Sequence, residues 1–484
     1  WLKPQCADPL CGLFKDFVAH YTCAMSSLSL LAFAANFFTH NSAQPVPYET
    51  WGPVIKAGRC PSSLDASALN IACRETLDGV VHFQFPPGVF ELSEQLLVPE
   101  SVTITGAADP NDWLSPARSP VYSEQTLFLS TIATTEYGVA YCYADDMVTT
   151  RAGFVLSSFV TIERVSFQGV DTIRPGDNGA LCGGGAFETK GCALNDCSNG
   201  VNNGGSDGLG STNVTIRDVR INDFYHAEDL ALIGAAVDGN YECNGTSADD
   251  CCFCKPNGVR SSQVGVWVPL TRDSAGTRNL KVDNVVSRST QADGINLHGM
   301  VTGALVTNVL FENTGDDVFA IWAGDRQLTE VSFRSCVAVN PGILRPNWYG
   351  NCVATYGLFS VDFEKITCRA PTLAEPIPDP NKHNTTDRWR IDTSMFVFYS
   401  TFWAVYPAGN NIQIRDWIFE DLVGNPYTAG GGVLDAPTVD WEGTMVWTRS
   451  QTGVVAPYYI PIGSELGGLP NVRAASGASV PVFV

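Results

Sequence analysis

VDNVVSRSTQADGINLHGMVTGALVTNVLFENTGDD, residues 282–317, carries one short pattern twice. Val282-Asp283-Asn284-Val285 opens the stretch, with Ser287 in the last place, and Val306-Thr307-Asn308-Val309-Leu310-Phe311 repeats it 24 residues later. The pattern is apolar, two other residues, apolar, one other residue, apolar. Fuller copies stand at Ile162–Phe167, Ile216–Ile221, Leu328–Phe333, Phe363–Cys368 and Ile414–Phe419, and Leu328 follows Val306 by 22 residues. Alternation with period two marks a strand with one buried side. The two-residue break marks a corner between faces. Short β units returning every 22–24 residues predict stacked coils, each burying its inner side on the next.

Working outward, "VVHFQFPPGVFELSEQLLVPESVTITG", residues 80–106, reads as the first coils, with Phe85-Pro86-Pro87-Gly88 as a turn between strands. Residues 171–211 and 239–262 break the rhythm and read as long loops pinned by disulfides. Residues 370–390 form a proline-rich excursion, and the C-terminal stretch resembles no coil. The expected organisation is a helical cap or extension over 1–46, a solenoid over 47–465 and a tail or cap over 466–484. The fold class is all-β.

Composition agrees. A chain of 484 residues would ordinarily divide into about three domains, but a solenoid escapes that rule because each turn adds to one core. Its 45 glycines and 28 prolines, spread along the chain, supply many turns. A formal charge of −21 argues against nucleic acid, an anionic membrane surface or a polyanionic substrate as partner. Sixteen cysteines, several clustered (Cys6 and Cys11; Cys192 and Cys197; Cys243, Cys251, Cys252 and Cys254), suggest disulfides and a secreted, extracellular protein. Asn213, Asn244 and Asn384 begin glycosylation sequons. The cluster over 243–254 lacks the second Cys-x-x-Cys that a zinc site needs.

The chain begins at Trp1, which reads as the product of a removal. Residues 24–38 are nearly uncharged but too few for a membrane span, which needs about 20. Phe14, Phe17, Val18, Tyr21, Met25 and Leu28 keep helical spacing, so the preferred reading is a helix capping the coils. A retained signal-peptide core and an assembly contact are the alternatives.

The 24-residue offset that carries Val282 onto Val306 also carries Asp293 onto Asp317, next to Asp316. Neighbouring strands lie about 4.8 Å apart, so three carboxylates should meet in one patch. A bend at Gly315 would let Asp316 and Asp317 both reach solvent. Such crowding raises at least one pKa and leaves a proton donor beside ionised bases. A glycoside hydrolase uses that pairing of acid and base. Asn296 and His298 lie just beyond Asp293, and Trp322, Trp348 and Tyr349 could stack on sugar rings; these five are the candidate substrate contacts. Each aromatic could equally be packing, and His298 could be structural.

"DGIN-x-H" followed by "NTGDD-x-x-A-x-W" resembles glycoside hydrolase family 87, the α-1,3-glucanases and mycodextranases, over residues 289–324 and more loosely elsewhere. The resemblance implies a right-handed parallel β-helix, a polysaccharide substrate of α-1,3-glucan or nigeran type, and no cofactor. It implies inversion, with Asp316 as general acid and Asp293 and Asp317 holding the attacking water. The polygalacturonases share an Asp followed by Asp-Asp, but their downstream Gly-His-Gly and Arg-Ile-Lys are missing here. Two other classes fit the same residues. One is a structural extracellular rod (coat, hair or filament subunit) that self-assembles through its ends or N-terminal segment. The other uses the trio to hold calcium, for binding or for lyase chemistry. Three unrelated turn aspartates are the plainest reading.

Overall fold

The computed structural model describes residues 73–77, 80–92, 95–107, 125–131, 153–172, 185–192, 197, 200, 202–223, 227–237, 257–322, 328–344, 350–356 and 360–369, and the strands 396–399, 411–415, 418–420, 427–430, 438–442, 446–448 and 472–474. The expected N-terminal cap, Trp348, Tyr349, Asn244, Asn384, the cysteines of 243–254 and the proline-rich excursion lie outside the described residues.

The chain is a parallel β-helix of two facing sheets. Nine strands make the smaller sheet, from Leu96–Val98 through Phe154–Leu156, Gly185–Thr189, Val264–Val268, Ile295–His298, Phe319–Trp322, Val353–Tyr356 and Phe396–Tyr399 to Tyr427–Gly430. Every pairing among them is parallel. The larger sheet holds the repeated pattern, and Val282 lies beside Val306 as the spacing requires. Its burial alternates along Ser360–Arg369, where Val361, Phe363, Ile366 and Cys368 point inward.

Among the described residues, the corner inside the repeat has one physical cause. The second of its two intervening residues takes left-handed backbone geometry: Arg164 (φ 54°), Asp218 (53°), Asn284 (54°), Asn308 (54°), Ser335 (55°) and Lys365 (56°). Asn and Asp enter that region at least cost among side chains with a Cβ. Across two such corners the Asn284 amide donates to Asp218 Oδ1 at 2.7 Å.

One repeat is misaligned by the sequence. Val306 pairs with Phe333, and Leu328 pairs instead with Val301. The coil is therefore 27 residues long at this point, as between Thr302 and Thr329, and not 22. The reason is a second left-handed corner earlier in each coil, at Asn213, Asn279, Gly303 and Glu330. It produces the same apolar pattern one bend sooner. A second difference lies within 171–211, which contains the regular strand Gly185–Thr189. That strand is buried on both sides, so no alternation announces it. In the C-terminal stretch, Val472–Ala474 pairs with the strand Thr438–Glu442.

Inside the helix, buried aromatic rings meet in a row, Phe311 edge-on to Phe319 within one coil and Phe333 stacked on Phe363 of the next. Phe311, Phe319, Phe333 and Phe363 follow one another at centroid distances of 6.2, 5.4 and 5.4 Å. Each buried side chain of this size contributes about 1.5–3 kcal/mol. Two disulfides are present among the described residues. Cys192–Cys197 closes a loop, and Cys352–Cys368 joins the entry of a smaller-sheet strand to the larger sheet. Cys336 is a buried thiol whose pKa burial pushes up to about 12. Among the described residues no helix is long and apolar enough to cross a membrane. The helix Ala227–Val237 packs Ile233 against Val259, Ile343 and Leu344.

Candidate active site

The site begins as a bend that enters the smaller sheet on two successive coils. Thr290 bridges to Thr314 in parallel, and each threonine hydroxyl donates to a carbonyl two residues on: Thr290 to Ala292 at 3.0 Å, Thr314 to Asp316 at 2.6 Å. The same turn is therefore built twice, one coil above the other. Gly315 N–H donates to the Thr290 carbonyl at 2.9 Å. A Cβ at Gly315 would collide with the Gln291 carbonyl, so only glycine allows the two bends to approach this closely. Strand register then sets Ile295 beside Phe319 and Asn296 beside Ala320.

This stacking brings the three aspartates together. Asp293, Asp316 and Asp317 each offer a carboxylate oxygen, and those oxygens lie within 4.8 Å of one another. All three are buried, at 8%, 9% and 3% exposure. The expectation that the bend would leave them in solvent is corrected here: the neighbouring coils close over the bend. Asp293 accepts the Asp317 amide on Oδ1 at 3.1 Å and the Asn296 side-chain amide on Oδ2 at 2.7 Å. Asp317 accepts, on one oxygen, both the backbone N–H and the side-chain amide of Asn351, at 2.8 and 2.6 Å. Burial, then the charges of Asp316 and Asp293, raise the Asp317 pKa well above the usual carboxylate range, against the pull of the Asn351 donors. Close carboxylates also suit a hard cation. Here Asp293 and Asp317 accept N–H donors on oxygens that a cation would also use.

Asn296 and His298 sit on the strand that follows Asp293. His298 lies flat against Trp322, at 4.9 Å between ring centroids and 7° between planes. That contact takes one face of Trp322 away from any sugar ring. Tyr356 follows Trp322 in the register of the next coil. Asn213 occupies an exposed corner and accepts the Asn279 amide at 2.9 Å.

Three residues near the site escaped sequence reasoning. Asn351 lies 34 residues after Asp317, not at the 24-residue offset, because the intervening coil is longer. Trp267 is paired with Asn296 on the preceding coil, in a strand without visible alternation. Glu188 pairs with Trp267 one coil earlier still. Its burial pushes the pKa up to about 7, against hydrogen bonds from Asn203, Gly185 and Gln95.

Among solved structures the chain is similar to α-1,3-glucanases. The catalytic domain of a GH87 α-1,3-glucanase in complex with nigerose aligns at 13% identity and a TM-score of 0.38, covering 76% of this chain and 51% of that one. The catalytic unit of the thermostable GH87 α-1,3-glucanase of Streptomyces thermodiastaticus strain HF3-3 aligns at 13% identity and TM-score 0.34, covering 83% and 63%. The A-module of the Azotobacter vinelandii mannuronan C-5 epimerase AlgE6 aligns at 11% and 0.30, covering 82% and 90%. The chain thus spans about half of the first glucanase's length. No family model matches the chain, and no curated protein matches it.

Proposed function

We propose that the chain is a secreted glycoside hydrolase that cleaves an α-glucan of the α-1,3-glucan or nigeran type. The observation that carries this is the trio: three buried carboxylates from two coils, with oxygens within 4.8 Å, too crowded for all to ionise freely. Crowding and burial raise the Asp317 pKa, and titration of such a group belongs to the trio as a unit. The motif resemblance supplies the roles within it. Asp316 protonates the departing glycosidic oxygen, and Asp293 and Asp317 hold and deprotonate the water.

Stereochemistry is the finer question. Inversion needs ~6.5–9.5 Å between acid and base carboxyls, whereas retaining enzymes hold them at ~5–5.5 Å. The motif resemblance implies inversion, and the 4.8 Å span is between one oxygen of each carboxylate, not between carboxyl groups. Proton NMR of the first anomer released distinguishes the two.

The decisive assay is reducing-sugar release from α-1,3-glucan and nigeran. Asp316→Asn should lower kcat by about 10²–10⁴-fold, the usual worth of a positioned acid. Asp317→Asn should also lower kcat, yet hold or raise the melting temperature. It relieves repulsion in a buried site while its amide oxygen still accepts the Asn351 donors. No release from any glucan, together with ordered end-to-end assembly, would establish the structural rod instead. Activity abolished by a chelator and restored by calcium would move the trio to the cation reading.

A further inference from the structure

The coil after the trio is latched to it at three points. Gly342 N–H donates to the Asp316 carbonyl at 3.1 Å, Val318 N–H donates to the Asn351 carbonyl at 2.7 Å, and Asn351 N–H donates to the Asp317 carboxylate at 2.8 Å. Gly350 lies so close to the Asp316 carbonyl and to Gly342 that a side chain there would strike both. Asn351 is fully buried. Its two donors therefore sit where the backbone puts them, and both point at Oδ1 of Asp317. Among the described residues, the charges of Asp316 on its own bend and of Asp293 on the coil before act on Asp317. The coil after it contributes the neutral Asn351.

We propose that Asn351 is a positioning residue that sets how tightly Asp317 holds its proton, and with it the pH range over which the trio works. The second clause rests on the hydrolase reading above; the first does not. Two N–H donors on Oδ1 favour the ionised form of Asp317. Asn296 and the Asp317 amide meanwhile occupy both oxygens of Asp293. Nothing in this role requires Asn351 to touch a substrate.

The test follows the Asp317 carboxyl itself, by NMR titration of protein labelled with ¹³C-aspartate, its signal assigned as the one lost in Asp317→Asn. In Asn351→Leu one donor is lost. A hydrogen bond to a charged group is worth about a factor of ten in proton affinity, so the Asp317 midpoint should rise by about one pH unit. On a cleaved glucan the acid limb of kcat should move upward with it, while KM changes less than about twofold. Asn351→Asp, nearly isosteric, adds a fourth carboxylate and should raise the midpoint further; it carries the comparison if the leucine variant does not fold. An unchanged midpoint with a lowered melting temperature would reduce Asn351 to a packing role and overturn the proposal. A raised midpoint in a protein that cleaves no glucan would uphold the control of the proton and reject the hydrolase reading separately.

Discussion

Glu188 shows what one buried side chain can impose on the whole chain's response to pH. Desolvation raises its pKa from 4.5 to about 7, although Asn203 and Gly185 donate to its two oxygens at 3.0 and 2.6 Å. A carboxyl whose folded pKa lies above its unfolded one stabilises the fold fully below the unfolded value. It loses that contribution as pH rises through the folded value. Unfolding at pH 8 should therefore be easier than at pH 5, by about 2–3 kcal/mol from this group alone. Asp317 shifts in the same direction and adds to the slope. In Glu188→Gln the difference in melting temperature between pH 5 and pH 8 should shrink markedly. A difference as large as the wild type's would place the pH dependence elsewhere. No sequence signal marks Glu188, since an acid within Gly185–Thr189 looks like any loop acid until burial on both sides is known.

At the scale of the element, the bend that carries the Asp-Asp pair is governed by its glycine. Gly315→Ala drives a methyl into the Gln291 carbonyl and must push the upper bend away from Asp293. We expect kcat to fall at least about tenfold, because small misplacements of reacting groups are costly, although residue 315 itself bears no reactive group. Wild-type kcat in this variant would show that the trio tolerates separation. Much of this element was legible beforehand. The 24-residue offset placed Asp293 beside Asp317, and Gly315 marked a bend. Burial of the carboxylates was not legible, because the coil that covers them follows a 34-residue offset to Asn351. The misread Leu328 repeat has a similar origin: two corners per coil share one pattern, and only strand pairing tells them apart.

For the whole molecule, stability grows by stacking coils, and the Cys352–Cys368 disulfide fixes the two sheets to each other. Its cysteines are 16 residues apart, so removing the bond in the double Cys→Ser variant should cost about 3 kcal/mol by loop closure. Removing Cys192–Cys197, separated by 5, should cost about 2 kcal/mol. Thermal melts of the two variants give the order; equal losses would contradict the entropic account. By itself the sequence determined the stacked parallel coils, their corners and the meeting of three aspartates. Each of these depends on local periodicity, on backbone preferences at Asn and Gly, or on a single offset between adjacent turns. The tertiary structure alone decided the smaller sheet, the burial of the trio, and the hold of Asn351 on Asp317. Strands covered on both faces carry no alternation, and partners supplied by a coil of different length have no fixed offset to read.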